Sequence, residues 1–399
     1  MGCGLSDGKN MKLNIHRATA SMHAGPRRPP VEVRACAVIA MLVVILGGVP
    51  TTATQAQGPC EGRWLPGSGV PGVNGTVDAL LNWDPDGPGP LPEVLVAGGW
   101  FTVAGGTEAQ NIGTWNPATE EWSALGTGLD GRVNALAALP NGDLVAGGDF
   151  TIAGGVYANY IARWDGQAWS ALGLGMDEPV YALAVLPNGE LVAGGSFRNA
   201  GYGPANFVAR WNGTAWSSLG PGLNGVVSAL AVLPGGDLVA GGGFHIAGGV
   251  NGSYYVARWN GTAWSAHSTG LNGGVSDLAV LPSGDLVAGG NFTAAGGVTA
   301  NHIARCDADG LWSPLGAGVN DFVFSVIVLS NGDLVAGGRF SAAGSVSANH
   351  VARWNGTDWS ALGASPSGGY AGFDGVLSLI HISEPTRLRR ISYAVFCLK

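Results

Sequence analysis

Four histidines in the repetitive part of the chain, His245, His267, His302 and His350, are the side chains best suited to hold a metal or move a proton. Two of them, His302 and His350, stand at a position that Tyr160, Phe207 and Tyr255 occupy in other copies of the repeat. A position that takes Tyr, Phe or His in turn is a packing position. Asp84 and Asp86 lie in the loop "NWDPDGPGPLPE" without the glycine and ligand spacing of a calcium loop, so that loop reads as a surface connection stiffened by Pro and Gly. Cys60 and Cys306 permit at most one bridge, and their spacing suggests no metal site. Arg163, Arg210, Arg258, Arg305 and Arg353 each accompany one acid, Asp143, Glu190, Asp237, Asp285 and Asp333, as expected for ion pairs between neighbouring strands. The tryptophan pairs, such as Trp164 with Trp169 and Trp259 with Trp264, invite a sugar-stacking reading. Their recurrence at one place in nearly every copy favours a role in the core or between copies. No Ser/His/Asp arrangement, phosphate-cradling loop or paired carboxylate stands out. The expectation is a chain with no catalytic residue, no metal ligand and no cofactor.

The elements that carry these residues repeat. A pair of glycines after "LVA" begins at Gly98, Gly147, Gly194, Gly241, Gly289 and Gly337, at steps of 49, 47, 47, 48 and 48 residues. One copy reads "VNALAALP" (Val133–Pro140), "LVAGGDF" (Leu144–Phe150), "YIARWDG" (Tyr160–Gly166) and "AWSALG" (Ala168–Gly173), called strands a, b, c and d. The runs are short, rich in Val, Leu, Ile and aromatic residues, and separated by turn signals, so they read as strands. Asn141-Gly142 and Asn212-Gly213 are expected to supply positive φ in two-residue hairpins. "CDADGLW", Cys306–Trp312, is a c–d turn lengthened by one residue. Four antiparallel strands alone leave apolar faces and open edges, and radial stacking of such sheets removes both. The expected fold is all-β, a β-propeller of four-stranded antiparallel blades with six copies present and a seventh truncated. The a–b and c–d turns share one face of the ring, and the b–c loops and d–a crossings share the other.

The double glycine followed by an aromatic, a turn and a closing Trp, as in "GTWNPATEEW" from Gly113 to Trp122, resembles the kelch type of propeller, the fold of the central domain of galactose oxidase. Later copies, such as "ARWNGTAWSALG"-like segments from Ala209 to Gly220, are similar to repeats of secreted bacterial proteins. The resemblance covers about Trp64 to Gly363. It would imply a copper site with Tyr and His ligands and a Cys–Tyr crosslink, which the histidines above do not assemble.

Three regions are expected. Residues 1–56 hold an N-terminal extension and a signal peptide: Arg27, Arg28 and Arg34, the apolar run Ala35 to Val49, then small residues to Ala56. Fifteen apolar residues fall short of the ~20 that span a bilayer. Residues 57–376 are the propeller, incomplete at its C-terminal end. Residues 377–399 back-translate into the constant parts of a transposon-type sequencing adapter and are read as non-native. Within 57–376, 24 acids face nine arginines and no lysine, a net charge of −15, which argues against nucleic acid as a partner. "RWLPG", Arg63 to Gly67, matches a strand d with no strands before it, so it is expected to complete the C-terminal seventh blade of the intact protein. For this chain, either an incomplete ring or a strained six-bladed closure using "VLSLIHI" is expected.

The sequence therefore points to an exported, noncatalytic, monomeric propeller that binds a protein or carbohydrate at the cell surface or outside the cell. Membrane contact would come only through the signal segment or a C-terminal anchor. The rival is an extracellular copper oxidase or carbohydrate-active enzyme. Because the b–c loops differ most between copies, Arg198, Tyr202, His245 and Tyr254 are the candidate binding residues. The "NGT" sequons at Asn212, Asn260 and Asn355 coincide with hairpin turns and are read as turn chemistry. Protein secreted from a bacterial host should begin near Gln57 by N-terminal sequencing, and a cytosolic product retaining Met1 or Met22 would refute the export signal.

Overall fold

Each copy becomes one four-stranded antiparallel sheet with strand order a-b-c-d. The computed structural model describes residues 72–86 and 89–362, and the backbone of 377–378 and 397–398. The segment read as an export signal, Cys60, Trp64 and most of the tail lie outside the described residues. Strands a of the six blades are Thr76–Trp83, Val133–Ala138, Val180–Val185, Val227–Val232, Val275–Val280 and Val323–Val328. Each lies beside the next, so they form the inner ring of a six-bladed propeller. Outermost are strands d, from Glu121–Ala124 in blade 1 to Trp359–Ala361 in blade 6. No helix occurs among the described residues. Leu377–Ser378 runs beside strands a and b of blade 6 and pairs antiparallel with Cys397–Leu398, which lies beside strand a of blade 1. The tail thus lends a makeshift strand pair between the last blade and the first.

The two glycines of each pair are required for different reasons. A Cβ on Gly98, Gly147, Gly194, Gly241 or Gly289 would come within 2.4–2.6 Å of the Val that opens strand a of the following blade. A Cβ on the second glycine would meet the carbonyl of the residue before that Val in its own blade, at 2.0–2.1 Å. One glycine therefore sets the distance between blades and the other the distance between strands a and b. Two residues later Phe101, Phe150, Phe197, Phe244, Phe292 and Phe340 are at most 2% exposed, each contributing about 1.5–3 kcal/mol of apolar burial.

The turns depart from the expected two-residue hairpins. Gly142 has φ +90°, but Asn141 is not left-handed. The Gly142 N–H donates to Leu139 O and the Leu139 N–H to Asp143 O, which closes a three-residue loop. Pro140 explains the difference, since its fixed φ suits the first central position of a type I turn and excludes a mirror-image one. In the c–d turn Asn212 acts through its side chain: Oδ1 accepts from Thr214 N at 3.0 Å, Ala215 N at 2.9 Å and Thr214 Oγ1 at 2.9 Å. The threonine of the sequon is thus used by the turn itself. The "CDADGLW" turn is one residue longer, as expected, running between Ile303–Cys306 and Trp312–Pro314.

The tryptophans join blades. The indole N–H of Trp169, Trp216, Trp264 and Trp359 donates at 2.8 Å to Leu125, Leu172, Leu219 and Leu315 O of the preceding blade. The strand c tryptophan packs against the glycine after that leucine: a Cβ on Gly126, Gly173, Gly220 or Gly316 would lie 3.0–3.2 Å from its ring. The five Arg–acid pairs also form as expected between the a–b turn and strand c. With arginines 24–47% exposed, each is worth about 0.2–1 kcal/mol, enough to favour register but not to hold the ring.

One seam, between blades 4 and 5, breaks the rule at three places together. Cys306 replaces the strand c tryptophan, Ser268 replaces the glycine while keeping φ +63°, and His267 replaces the leucine. Without the large ring, the serine Cβ has room, and its hydroxyl donates to Gly310 O. Burial raises the Cys306 thiol to about 12 and lowers His267 to about 4. The His267 ring lies edge-on to Trp312 at 6.1 Å, and His267 Nε2 and Trp312 Nε1 have no hydrogen-bond partner among the described residues. Two outcomes follow. Cys306→Trp alone should lower stability by about 1–3 kcal/mol by overpacking against Ser268, whereas adding Ser268→Gly and His267→Leu should recover it; additive losses in a denaturant titration would refute the coupling. The unfolded chain protonates His267 near pH 6.5 and the folded chain only near 4, so stability is complete above 6.5 and falls as pH drops toward 4. The loss is on the order of 3 kcal/mol, and His267→Leu should flatten that part of the melting-temperature profile.

Candidate functional site at the mouth of the ring

The d–a crossings and b–c loops do share one face. In every blade the b–c loop folds into a two-stranded ribbon, such as Ile152–Ala153 with Val156–Tyr157. The crossing pairs with it through single bridges, Leu129 to Ala153 and its equivalents. An Asp or Asn on the crossing fixes the ribbon: Asp130 Oδ1 accepts from Thr151 N and Ile152 N, both at 2.8 Å. Asn74, Asp177, Asn224, Asn272 and Asn320 do the same in the other blades. This role was missed in the sequence, although the recurring Asp or Asn after "GL", "GM" or "GV" carries it.

The residue before strand c is left-handed in every blade, at φ +63° to +72°, for Asn111, Tyr160, Phe207, Tyr255, His302 and His350. Its N–H donates to the buried phenylalanine's carbonyl and its C=O accepts from the second glycine of the pair, as Tyr160 does with Phe150 and Gly148. Two backbone bonds thus support a conformation that bulky residues seldom adopt. His302 packs against Phe322 at 5.6 Å, with burial lowering its pKa, and His350 Nδ1 lies 3.1 Å from Gly338 O. These histidines belong to the fold, and among the described residues no three His, Cys, Asp or Glu side chains gather as a metal site.

Strand a carries a bulge at one position in every blade, between Val77 and Ala79, Val133 and Ala135, and so on to Val323 and Ser325. A bulge re-aims a side chain. The bulged residues are Asp78, Asn134, Tyr181, Ser228, Ser276 and Phe324, all half-buried, and they range from acidic to aromatic, with serine alone recurring. Two neighbours vary as freely. The residue before the Val is Thr76, Arg132, Pro179, Val226, Gly274 or Phe322, and the residue after the glycine pair is Trp100, Asp149, Ser196, Gly243, Asn291 or Arg339. From blade 2 onward the N–H of the latter donates to the C=O of the former, which brings the three positions together at the inner end of the crossing face.

In blades 1 to 3 these side chains answer one another. Arg132 forms a two-pronged pair with Asp78, which raises the arginine above its ordinary pKa. Asn134 donates to Asp149 at 2.8 Å and to Val180 O at 3.2 Å, and Ser196 Oγ lies 3.5 Å from the Tyr181 hydroxyl. Blade 6 brings Arg339 over the Phe322 ring at 5.7 Å, with Asp321 at 3.9 Å. Between them, Val226, Ser228, Gly242, Gly243, Gly274, Val275, Ser276, Asn291 and Phe322 line a cleft of about 240 Å³.

The loop residues expected to bind lie farther out, in two groups. In blade 3 Arg198 stacks over Phe207 at 5.3 Å and Tyr202 is 96% exposed. In blade 4 His245 meets Tyr254 at 6.2 Å and Tyr255 at 4.7 Å, with Tyr254 half exposed. Tyr157 in blade 2, 82% exposed, was not singled out because its ribbon is the one the other loops depart from.

Residues 88–173 match the family described as the Rax2 C-terminal beta propeller domain, and residues 281–311 match a beta-propeller family described as a domain of unknown function, DUF5122. Together the matches cover well under half of the chain. No curated protein matches it. Among solved structures, the chain is similar to the extracellular domain of a one component system from B. thetaiotaomicron, at 10% identity and a TM-score of 0.47 over 70% of this chain and 33% of that one. The chain spans about a third of that structure.

Proposed function

We propose that the chain is an exported, noncatalytic propeller of kelch type that binds a ligand on the face made by the b–c loops and d–a crossings, as a monomer at the cell surface or outside the cell. One observation carries this reading. Three positions per blade vary in type where the strands around them repeat, and at two of the bulges Ser228 and Ser276 line the cleft at the mouth of the ring. The rim of the same face carries exposed aromatic and aliphatic side chains, Tyr157, Tyr202, Val250 and Tyr254, held on ribbons that the crossing residues fix. The export reading rests on the Ala35 to Val49 run. The kelch reading rests on the double glycine and the paired tryptophans.

The test is a screen of the secreted chain on arrayed glycans and peptides, followed by variants on both faces. Arg198→Ala, Tyr202→Ala and Tyr254→Ala should each weaken retention several-fold while leaving the melting temperature unchanged. If changes at the opposite turns, Asn141 or Asn188, weaken it instead, the binding face is the other one. Turnover in an oxidase or glycan-cleavage assay would replace the reading with an enzyme.

A further inference from the structure

The six copies in one chain are an internal control: what the fold needs, every blade repeats. Gly243 and Gly274 fail that test as structural glycines. Neither has positive φ, a Cβ on Gly243 would meet nothing within 4 Å, and one on Gly274 would meet only ordinary contacts, at 3.4 Å or more. Other blades place Trp100 and Asp149 at the first of these positions, and Arg132 and Phe322 at the second. A glycine that the backbone does not require costs chain entropy of about 0.5–1 kcal/mol relative to alanine within an element. What these two provide is the open space of the 240 Å³ cleft between blades 4 and 5.

The lining decides what fits that space. The Ser228 and Ser276 hydroxyls and the Asn291 carboxamide form no hydrogen bond to another described residue, whereas the matching side chains of blades 1 and 2 pair with one another. They offer hydrogen-bond donors and acceptors and no charge. Phe322 supplies an aromatic wall, steadied by Arg339 and His302. The cation of Arg339 is engaged by that ring and by Asp321, and no charged residue lines the cleft, so an anion finds little to bind. The volume is below the roughly 300–1,000 Å³ typical of drug-sized ligands, which suits a single ring.

We infer that this cleft, on the binding face proposed above, is a subsite for a neutral hydroxylated ring, the terminal sugar of an uncharged glycan. Its apolar face packs on Phe322, and its hydroxyl groups exchange hydrogen bonds with Ser228, Ser276 and Asn291.

The chain itself names the variants that fill the cleft without straining the fold: Gly243→Asp copies Asp149, and Gly274→Arg copies Arg132. Methyl glycosides of glucose, galactose and mannose, with glucuronic acid as the charged counterpart, are titrated by saturation-transfer NMR on the whole chain. A neutral glycoside should bind at about 1 mM and glucuronic acid should not. Both variants should weaken neutral binding tenfold or more with unchanged melting temperatures, as should Ser276→Ala together with Asn291→Ala. If no neutral glycoside binds, or glucuronic acid binds better, the ligand class is wrong. If neutral binding survives both glycine variants but is lost with Tyr202→Ala, the subsite is wrong while the binding face stands. Losses at Asn141 or Asn188 alone would overturn both.

Discussion

The ring depends on one contact: in blades 1 to 5, the first glycine of each pair beneath the valine that opens the next blade. A methyl group there would lie 2.4–2.6 Å from the valine Cγ1, far inside contact distance, so no other side chain permits this blade spacing. The rest follows from it. Inner strands this close need small residues throughout, as in "LVAGG", and bulk must move outward, where the tryptophans span the wider gap and donate across it to the preceding blade. The seam between blades 4 and 5 shows how tightly this outer contact is matched. Where Cys306 replaces the tryptophan ring, the facing glycine is Ser268 and the facing leucine is His267.

Such close packing separates the positions that serve the fold from those that do not. Second glycines, phenylalanines, left-handed residues before strand c and crossing Asp or Asn residues are each held by a bond or a contact that recurs six times. At the inner end of the crossing face, beyond the last tight contact, that demand stops. The bulge at Asp78, Asn134, Tyr181, Ser228, Ser276 and Phe324 then presents one free choice per blade. The Arg132–Asp78 pair and the Asn134–Asp149 hydrogen bond fill the mouth on the side of blades 1 and 2, and glycine and serine open it between blades 4 and 5.

Strand order, blade boundaries, Arg–acid pairing and the sharing of faces were all legible in the sequence, because each rests on a period near 48 residues and on strand-length apolar runs. Turn geometry was legible only in part. "NG" suggests a mirror-image turn, but Pro140 forbids it and lets Asn act through its side chain. The mouth positions were not read from the sequence, for a physical reason. Long, varied b–c loops attract attention in a sequence, whereas a bulge inside "VSAL" has no local signature and appears only when two residues face one. Gly243 and Gly274 were hidden in a chain where glycine is everywhere, and only the lack of any close contact at their Cβ positions and of positive φ separates them from glycines the backbone requires.

The fold uses its repeated positions and leaves the mouth free. A stability scan across the mouth positions and the repeated glycines tests it most directly. Exchanging residues between blades at the mouth, as in Ser228→Asn, Asn291→Asp or Gly243→Ser, should leave the melting temperature within about 2 °C of the parent chain. Alanine at Gly147, Gly194 or Gly241 should lower it by several degrees, from ~1–3 kcal/mol of overpacking. Mouth exchanges that destabilise as much as the glycine substitutions would contradict the account, because the varied positions would then be serving the fold.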